Sequence, residues 1–468
     1  MNGNGEIRMT LQKPAKNKST VQTTAAQNSM GTQRMSRLIL VTGLPLMLSL
    51  LINSLYNFVD SVFVSYVSED ALTALSLASP VQMIVSSLGL GNAVGLNAAI
   101  SKALGEKRPD KVKKIANASI FLAICFWLLN VVLCVLFVRP YFLWQSGGNE
   151  TIAAYGQSYL SVCMLFSLGQ MGQWVFDRFV IASGKSHLFL YTLSAASITN
   201  LILDPILIFG LFGLPRMEAL GAALATVIGQ TVGLIAGILI NLKWNKEIPF
   251  SFTLRPDKES IVSILRVGIP STLVQIFTSF VSVAMNSILI AFSTTAVAVY
   301  GICAKIHNLT FVCVSGINLG VIPIVAYNFG AKNRQRVDSA VRWAILYSVG
   351  IFLVMLLAME LAPGLVLNLF DASAYMLEIG TPALRLLAFA WLISIPGAVL
   401  SSALQGLSMG TQSLILNTTR QTVLPLVFAL IFSLFGRLTW IWIALILVEL
   451  LCLPLALFIW KRARGTLD

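Results

Sequence analysis

Three polar side chains interrupt an otherwise apolar stretch near the start of the chain. Asn53, Asn57 and Asp60 lie within 38–67, which is long enough to cross a bilayer. Their spacing places them on one face of a helix. An ionised carboxylate at the centre of a membrane helix costs about 2.5–3.5 kcal/mol on insertion scales. We therefore interpret Asp60 as an ion- or proton-coupling residue; the alternative is a structural hydrogen bond between helices.

A second polar group lies in the fifth apolar stretch. Asn200 and Asp204 share one helix face, and Pro205 leaves the carbonyl of Leu201 without its helical donor. Carboxylate, amide and carbonyl oxygens suit Na⁺, whereas a proton needs only a carboxylate. The alternative is that Asp204 lies at the outer end of its span and faces water. Thr226, in the stretch GAALATVIGQ, adds a hydroxyl oxygen to the candidate set, although packing is the simpler role of that stretch.

The composition places the chain in the membrane class. Of its 468 residues, 57% are apolar and 11% are charged, and the mean hydropathy is +0.82. A soluble protein of this size carries about 25% charged residues. The sequence has no CxxC pair, Walker loop, zinc motif, nucleophile elbow or dinucleotide loop. We therefore expect neither an enzyme nor an ATP-driven pump, no cofactor, and H⁺ or Na⁺ as the coupling ion, with Na⁺ possible at Asp60, Asn200 and Asp204.

Hydropathy predicts twelve membrane-spanning helices. The predicted spans are 38–67, 73–101, 115–138, 158–181, 187–213, 217–242, 261–290, 296–328, 341–368, 379–408, 412–435 and 438–460. With the amino terminus inside, 25 of the 32 Lys and Arg residues fall in inside segments and 3 in outside loops. This distribution predicts cytoplasmic termini in a bacterial plasma (inner) membrane. It also accounts for the net charge of +13 without nucleic-acid binding, which needs a concentrated basic face.

The two halves of the sequence repeat each other. A shift of 225 residues aligns 43–112 with 268–337 without gaps. The matching positions include helix breakers and the glycines that end the second span of each half: Gly43 and Gly268, Pro45 and Pro270, Gly95 and Gly320, Gly105 and Gly330. Because six spans separate the copies, both start on the same side of the membrane, which indicates two six-helix bundles in a parallel repeat. Asp60 aligns with Met285, so the coupling chemistry is predicted in the N-terminal bundle.

This organisation divides the chain into five segments. We predict a disordered cytoplasmic tail, an N-terminal six-helix bundle, a cytoplasmic interdomain loop, a C-terminal six-helix bundle and a second cytoplasmic tail. Their predicted bounds are, in that order, 1–37, 38–242, 243–260, 261–461 and 462–468. Within the C-terminal bundle, Arg420 is predicted to form a structural or gating salt bridge, and Glu449 to lie towards a membrane interface.

Several stretches together resemble the multidrug and toxic compound extrusion (MATE) family. They are NFVDSVFVS in the first span, GLNAAISKALGEKR after the second, DRFVIASGKS before the fifth, ITNLILDPILIFG within it and GAALAT after it. The resemblance covers about 36–460. It is closest to the DNA-damage-inducible (DinF) branch, because the other branch has acids in spans seven and ten, and this sequence has Thr278 and Ser282 in span seven instead.

The resemblance implies a V-shaped all-α fold with a central cavity, and export of organic cations in exchange for H⁺ or Na⁺. By position, Asp60 corresponds to the acid of span one, Asn200 and Asp204 to the pair of span five, Asn53 to a polar position before the first acid, and Thr226 to a hydroxyl in span six. We therefore expect a monomeric exporter of amphipathic, cationic small molecules that is embedded in the lipid bilayer. A lipid-linked precursor flippase of similar architecture is the alternative.

Overall fold

The structure, a computed structural model, describes residues 29–368 and 373–465. Within these ranges every regular element is helical, which confirms the all-α prediction. The first half comprises α1 (Ser29–Thr32), α2 (Met35–Ser65), α3 (Glu69–Gly105), α4 (Pro109–Gln145), α5 (Glu150–Leu165), α6 (Leu168–Ala182), α7 (His187–Phe209) and α8 (Glu218–Trp244). The second half comprises α9 (Lys258–Leu289), α10 (Thr294–Gly330), α11 (Arg334–Leu361), α12 (Pro363–Asn368), α13 (Ala374–Gly406), α14 (Gly410–Thr418), α15 (Leu424–Ser433) and α16 (Leu438–Arg464).

The described helices provide twelve membrane spans when one bent pair is counted as a single span. Helices α5 and α6 form this pair, meet at an angle of 44°, and take the place of the predicted span 158–181. The indole of Trp127 on α4 donates a hydrogen bond of 2.7 Å to the carbonyl of Leu165, the last residue of α5. This contact satisfies an acceptor that the break leaves without a helical partner.

The amino-terminal segment is ordered closer to the start of the chain than the sequence predicts. Residues 1–28 of the predicted tail lie outside the described part of the chain, but 29–37 contain α1 and the first turn of α2. Met30 is fully buried, and its carbonyl accepts hydrogen bonds from Asn328 at 3.1 Å and from Arg336 at 2.9 Å. These tertiary contacts order a segment whose local composition is polar, so predicted disorder does not extend to 29–37.

The interdomain loop and the carboxyl-terminal tail are shorter than predicted. Helix α8 ends at Trp244 and α9 begins at Lys258, so the connecting loop lies inside the predicted range 243–260. Helix α16 extends to Arg464, whose guanidinium lies 3.0 Å from the carboxylate of Asp338 on α11. Because the start of α11 also contacts α1, both ends of the described chain lie on one face, which we call the terminal face.

Two lobes, α2–α8 and α9–α16, meet towards the terminal face. Helix α3 packs against α9 and α10, and α2 packs against α10. Repeat-related glycines make the closest crossing possible. A Cβ on Gly105 would overlap the carbonyl of Tyr327, and a Cβ on Gly330 would overlap the carbonyl of Lys102. The matched glycines of the repeat therefore bring the two lobes into direct backbone contact.

Candidate ion-coupling site

Asp60 and Asp204 lie on the first and fifth spans of the N-terminal lobe. Each is five residues before the end of its helix, α2 or α7. At 1.5 Å per residue, each acid is roughly 8 Å from that end. The pair is therefore closer to the face opposite the terminal face than it is to the membrane centre. Asp204 is fully buried, which argues against the alternative that it faces water.

Asn200 connects Asp204 to the neighbouring helix. Its Nδ2 lies 3.3 Å from Asp204 Oδ1 and 3.4 Å from Thr226 Oγ1. In the alternative amide orientation, which satisfies both neighbours, Nδ2 donates to Asp204 Oδ2 at 3.1 Å and the amide oxygen accepts from the Thr226 backbone N–H at 3.1 Å. Gly229 on α8 permits this approach, because a Cβ there would lie 2.8 Å from the carbonyl of Ala196. A small residue in GAALATVIGQ thus positions the polar contact.

The carboxyl groups of Asp60 and Asp204 lie within hydrogen-bonding reach of each other. Two carboxylates in contact repel each other, whereas one carboxyl donates to the other when the pair holds a proton. Asp60 Oδ1 is buried and has no hydrogen-bond partner among the described residues. The pair can therefore hold a proton, and Asp60 Oδ1 can accept one further hydrogen bond.

Two tyrosines that the sequence pattern does not single out surround the acid pair. Tyr56 precedes Asp60 by one helical turn and has both acids as charged neighbours. Tyr159 on α5 is buried near Asp60 and shares a hydrogen bond with Gln82. Helical spacing is a signal that could have identified Tyr56, but only the packing of α5 brings Tyr159 to the site.

Asn53 and Asn57 lie beside the acid pair, in the wall of a cavity. The Asn57 amide donates a hydrogen bond of 2.7 Å to the backbone carbonyl of Asn53. Both side chains line a cavity of about 320 Å³ that also contacts Asn200 and Thr226. The six predicted residues therefore form two connected groups: Asp60 and Asp204 contact each other, and the adjoining cavity is lined by Asn53, Asn57, Asn200 and Thr226.

The other end of this cavity is charged. Asp177 and Arg178 of α6 line it and are buried. One carboxylate oxygen of Asp177 accepts a hydrogen bond from Thr192, while the other oxygen and two guanidinium nitrogens of Arg178 have no partner among the described residues. Unpaired buried polar atoms are costly unless a ligand or water satisfies them, so this cavity is suited to a small molecule with polar groups.

The oxygen atoms of the acid pair, Asn200 and Thr226 are also of the type that hard cations prefer. Within the described ranges, no group of three or more His, Cys, Asp and Glu side chains that could hold a metal ion is present. The arrangement can thus bind a proton between two acids, or a monovalent cation among carboxylate, amide and hydroxyl oxygens.

Two lobes of six spans each, related by a repeat, with a titratable pair beside an internal cavity, define a membrane transporter. The MatE family model matches 45–206 and 270–431, segments that begin 225 residues apart, as the predicted repeat requires. The chain belongs to this family, the multidrug and toxic compound extrusion (MATE) transporters, and it is not an enzyme.

The relatives and solved structures cover nearly the whole chain. Multidrug export protein MepA of Staphylococcus aureus (strain MRSA252) is 28% identical over 432 residues, 91% of this chain and 94% of that protein. MepA of Staphylococcus haemolyticus (strain JCSC1435) is 26% identical over 426 residues, 91% and 93% of the two chains. The crystal structure of MATE in complex with MaL6 has a TM-score of 0.87 at 24% identity and covers 95% of this chain and 99% of its own. That structure shows the shared fold; the DinF branch stays a prediction.

Proposed function

We propose that this protein is a proton-coupled antiporter that exports amphipathic, cationic compounds. The similarity to the MepA multidrug export proteins supports drug export and does not favour a lipid-linked precursor flippase. The contact between Asp60 and Asp204 supports coupling to protons, because a hydrogen bond between two carboxyl groups needs a proton on one of them. This contact is the observation on which the choice of ion rests.

Neutralisation of charge at the acid pair provides the coupling step. With one proton bound, the pair carries a single negative charge and its hydrogen bond holds α2 against α7. Without the proton, two negative charges repel each other or attract a cation. A cationic substrate in the adjacent cavity favours the pair with two negative charges, whereas a bound proton gives the pair with a single negative charge. Because each ligand stabilises a different state, the two exchange across the membrane.

Sodium is the second candidate ion, and the oxygen set around the site is what favours it. Asp60 and Asp204 would then both be ionised, and Asn200 and Thr226 would supply further oxygen ligands. In that case the Asn200 amide would turn its oxygen to the ion, whereas hydrogen bonding to the Asp204 carboxylate uses the amide nitrogen. The two ions therefore require opposite orientations of one side chain.

Gradient-driven efflux separates the two ions. Membrane vesicles are loaded with a fluorescent organic cation, and its transport is measured under an imposed pH gradient or an imposed Na⁺ gradient. We expect the pH gradient alone to drive transport. Asp60→Asn and Asp204→Asn are expected to reduce it to the level of vesicles without the protein. The matched control is Asp110→Asn, which changes an exposed acid at the start of α4 and leaves transport unaffected.

The outcomes of this experiment have distinct meanings. Transport driven only by the Na⁺ gradient would replace the proton with sodium and keep the antiporter. Undiminished proton-driven transport in both acid variants would rule out the acid pair as the coupling site. No gradient-driven transport of any organic cation by the unmodified protein would contradict the proposed function itself.

We further propose that the terminal face is cytoplasmic, in a bacterial inner membrane, and that the protein acts as a monomer. The basic loops between α3 and α4 and between α10 and α11 support this orientation. Its partners are then amphipathic small molecules and the lipid bilayer, and we expect no nucleic-acid partner. The protein needs no cofactor, and H⁺ is the coupling ion. A green fluorescent protein fused after residue 468 is expected to fluoresce, since it folds in the cytoplasm; a dark fusion at normal expression would reverse the orientation.

A further inference from the structure

A second cavity, of about 220 Å³, lies in the C-terminal lobe where that lobe meets α3. Its walls carry several amide side chains, among them Gln275 on α9 and Asn318 on α10. Arg420 also lines it and is the one charged residue among its described lining residues, whereas the cavity beside the acid pair is lined by both an acid, Asp177, and a base, Arg178. The ion-coupling site does not use this second cavity.

Arg420 occupies an unusual position in the helix. It lies in a π-helical turn, Thr419–Val423, that joins α14 to α15. A π turn adds one residue to the helical register and is frequent at functional sites. Gly397 on α13 makes room for the side chain, because a Cβ there would lie 3.3 Å from Arg420 Cδ. The local backbone and a facing glycine therefore both direct a guanidinium into the lobe.

The guanidinium of Arg420 is only partly satisfied by the protein. Its side chain is 4% exposed, and Nη1 donates to the carbonyl of Ser394 at 3.1 Å and lies 3.5 Å from Glu449 Oε1. Nε has no hydrogen-bond partner among the described residues. Guanidinium has five N–H donors, and the two contacts above share one nitrogen. Glu449 lies in the middle of α16, not towards a membrane interface as predicted, because it is paired with this cation.

The cavity wall also has an unsatisfied amide and an aromatic surface. Asn318 Oδ1 is buried and has no partner in the described part of the chain. Phe311 contributes an apolar wall next to His307, with ring centroids 5.0 Å apart. Leu90 of α3 lines both this cavity and the cavity beside the acid pair. The two cavities therefore lie on either side of one side chain.

We propose that the cavity at Arg420 binds the carboxylate of zwitterionic, amphipathic substrates, whose cationic end reaches past Leu90 to the cavity of the N-terminal lobe. A planar carboxylate matches the geometry of guanidinium donors, and such charge-assisted pairs are strong where water is excluded. A cation placed in this cavity would instead meet a buried positive charge. The proposal rests on the proposed function, since it names a substrate class of the same transporter.

The test compares two dyes that differ in one group. A rhodamine with a free carboxylate is a zwitterion, and its methyl ester is a cation of the same shape and fluorescence. Efflux of both is measured in vesicles for the unmodified protein and for the double variant Arg420→Met with Glu449→Leu, which removes both charges together and leaves neither unpaired. We expect the ratio of acid to ester transport to fall about tenfold, the size of a lost charge-assisted hydrogen bond of about 1.4 kcal/mol.

A matched control is available in the same lobe. Arg385 and Glu360 form an ion pair of the same length, 3.5 Å, but Arg385 is 49% exposed. The double variant Arg385→Met with Glu360→Leu is expected to leave the acid-to-ester ratio unchanged. Arg420→Lys provides a second probe that keeps the charge but not the planar fork, so we expect an intermediate ratio.

Each outcome bears on the proposal in a defined way. An unchanged ratio in the Arg420 double variant, or an equal change in the Arg385 control, would overturn it. If the double variant does not fold, an unchanged ratio in Arg420→Lys together with equal affinity of the purified unmodified protein for acid and ester would do the same. Failure of the unmodified protein to transport the ester as well would contradict the proposed function and not this site alone.

Discussion

In the N-terminal lobe the first span carries Asp60 in contact with Asp204, whereas the equivalent position in the C-terminal lobe is Met285, which is fully buried in an apolar core. The C-terminal lobe instead buries Arg420 beside Glu449, two groups of opposite sign. One scaffold, present twice, therefore supports two different kinds of buried charge. The repeat determines where the spans lie, and the residues at a few positions decide what each lobe can bind.

The signs of these charges predict a different response of each lobe to ions and ligands. Two acids in contact repel each other when both are ionised. The contact between them is therefore stabilised only while a proton or a cation is bound, and this binding is reversible. A buried pair of opposite charges compensates itself and stays in one state. We therefore assign the state-dependent step to the acid pair, and a static role in recognition to Arg420.

The largest effect on transport is expected when Asp60 of the N-terminal lobe is replaced by methionine, the residue at the equivalent position of the C-terminal lobe. Asp60→Met removes one acid, so Asp204 no longer shares a proton, and gradient-driven efflux should fall about a hundredfold. The reverse change, Met285→Asp together with Asp60→Met, should not restore it, because Met285 lies within a cluster of buried apolar side chains. Vesicle transport under a pH gradient measures both variants. Transport by Asp60→Met at the level of the unmodified protein would contradict the role of Asp60 in coupling.

A smaller effect, on stability, is expected at Arg420. Glu449→Gln leaves a buried guanidinium without its counter-charge and should lower the free energy of unfolding by about 3 kcal/mol. The double variant Arg420→Met with Glu449→Leu should lose about 1 kcal/mol or less. Thermal unfolding of the purified protein in detergent compares the two. Equal losses in both variants would show that charge pairing is not the source of the stability.

The contact between the lobes can be tested at its glycines. Gly330→Ala places a methyl group against the carbonyl of Lys102. We expect it to disfavour, by about 1–3 kcal/mol, the conformation in which the two lobes meet at the terminal face. Spin labels at the exposed positions Lys107 and Lys332 report the distance between the lobes, which we expect to increase. Gly350→Ala is the control, because nothing lies within 4 Å of a Cβ there. Unchanged distances in Gly330→Ala would argue against this helix crossing as the contact that holds the two lobes together at the terminal face.

The smallest effect, on the free energy of unfolding, is expected at the N-termini of α2 and α9, the first spans of the two lobes. Helix α9 has Asp257 as its N-cap, whereas α2 has no side-chain cap. Hydrogen bonds from the hydroxyl and backbone N–H of Ser260, and the nearby charge of Lys114, lower the pKa of Asp257. Its stabilisation is therefore complete above the unfolded-state pKa of about 3.9 and is lost as the pH falls through the lower folded-state value.

We accordingly expect Asp257→Ala to cost about 1 kcal/mol at neutral pH, with the difference from the unmodified protein disappearing in acid. Asp257→Asn keeps a capping acceptor and should remove the pH dependence of this contribution. Thermal unfolding at several pH values below neutrality measures all three proteins. A difference that stays constant with pH would contradict the assignment to the carboxylate.

Local composition and periodicity were sufficient for the all-helical class, for eleven of the twelve predicted spans and for the repeat, because long apolar segments have few alternatives in a bilayer. The break between α5 and α6 was not predictable, since it depends on Trp127 and other groups of α4 that satisfy the freed backbone. The order of 29–37 likewise depends on Arg336, which is three hundred residues away in the sequence.

For the candidate site, the sequence by itself singled out Asp60, Asn200 and Asp204, because polar groups are rare in apolar spans and helical spacing relates neighbours on one helix. Only the tertiary structure decided that the two acids touch, that Tyr159 lies beside them and that Arg420 points into a cavity shared between lobes. These are contacts between helices, and the packing of small residues such as Gly229 and Gly397, not periodicity along one segment, determines which side chains meet.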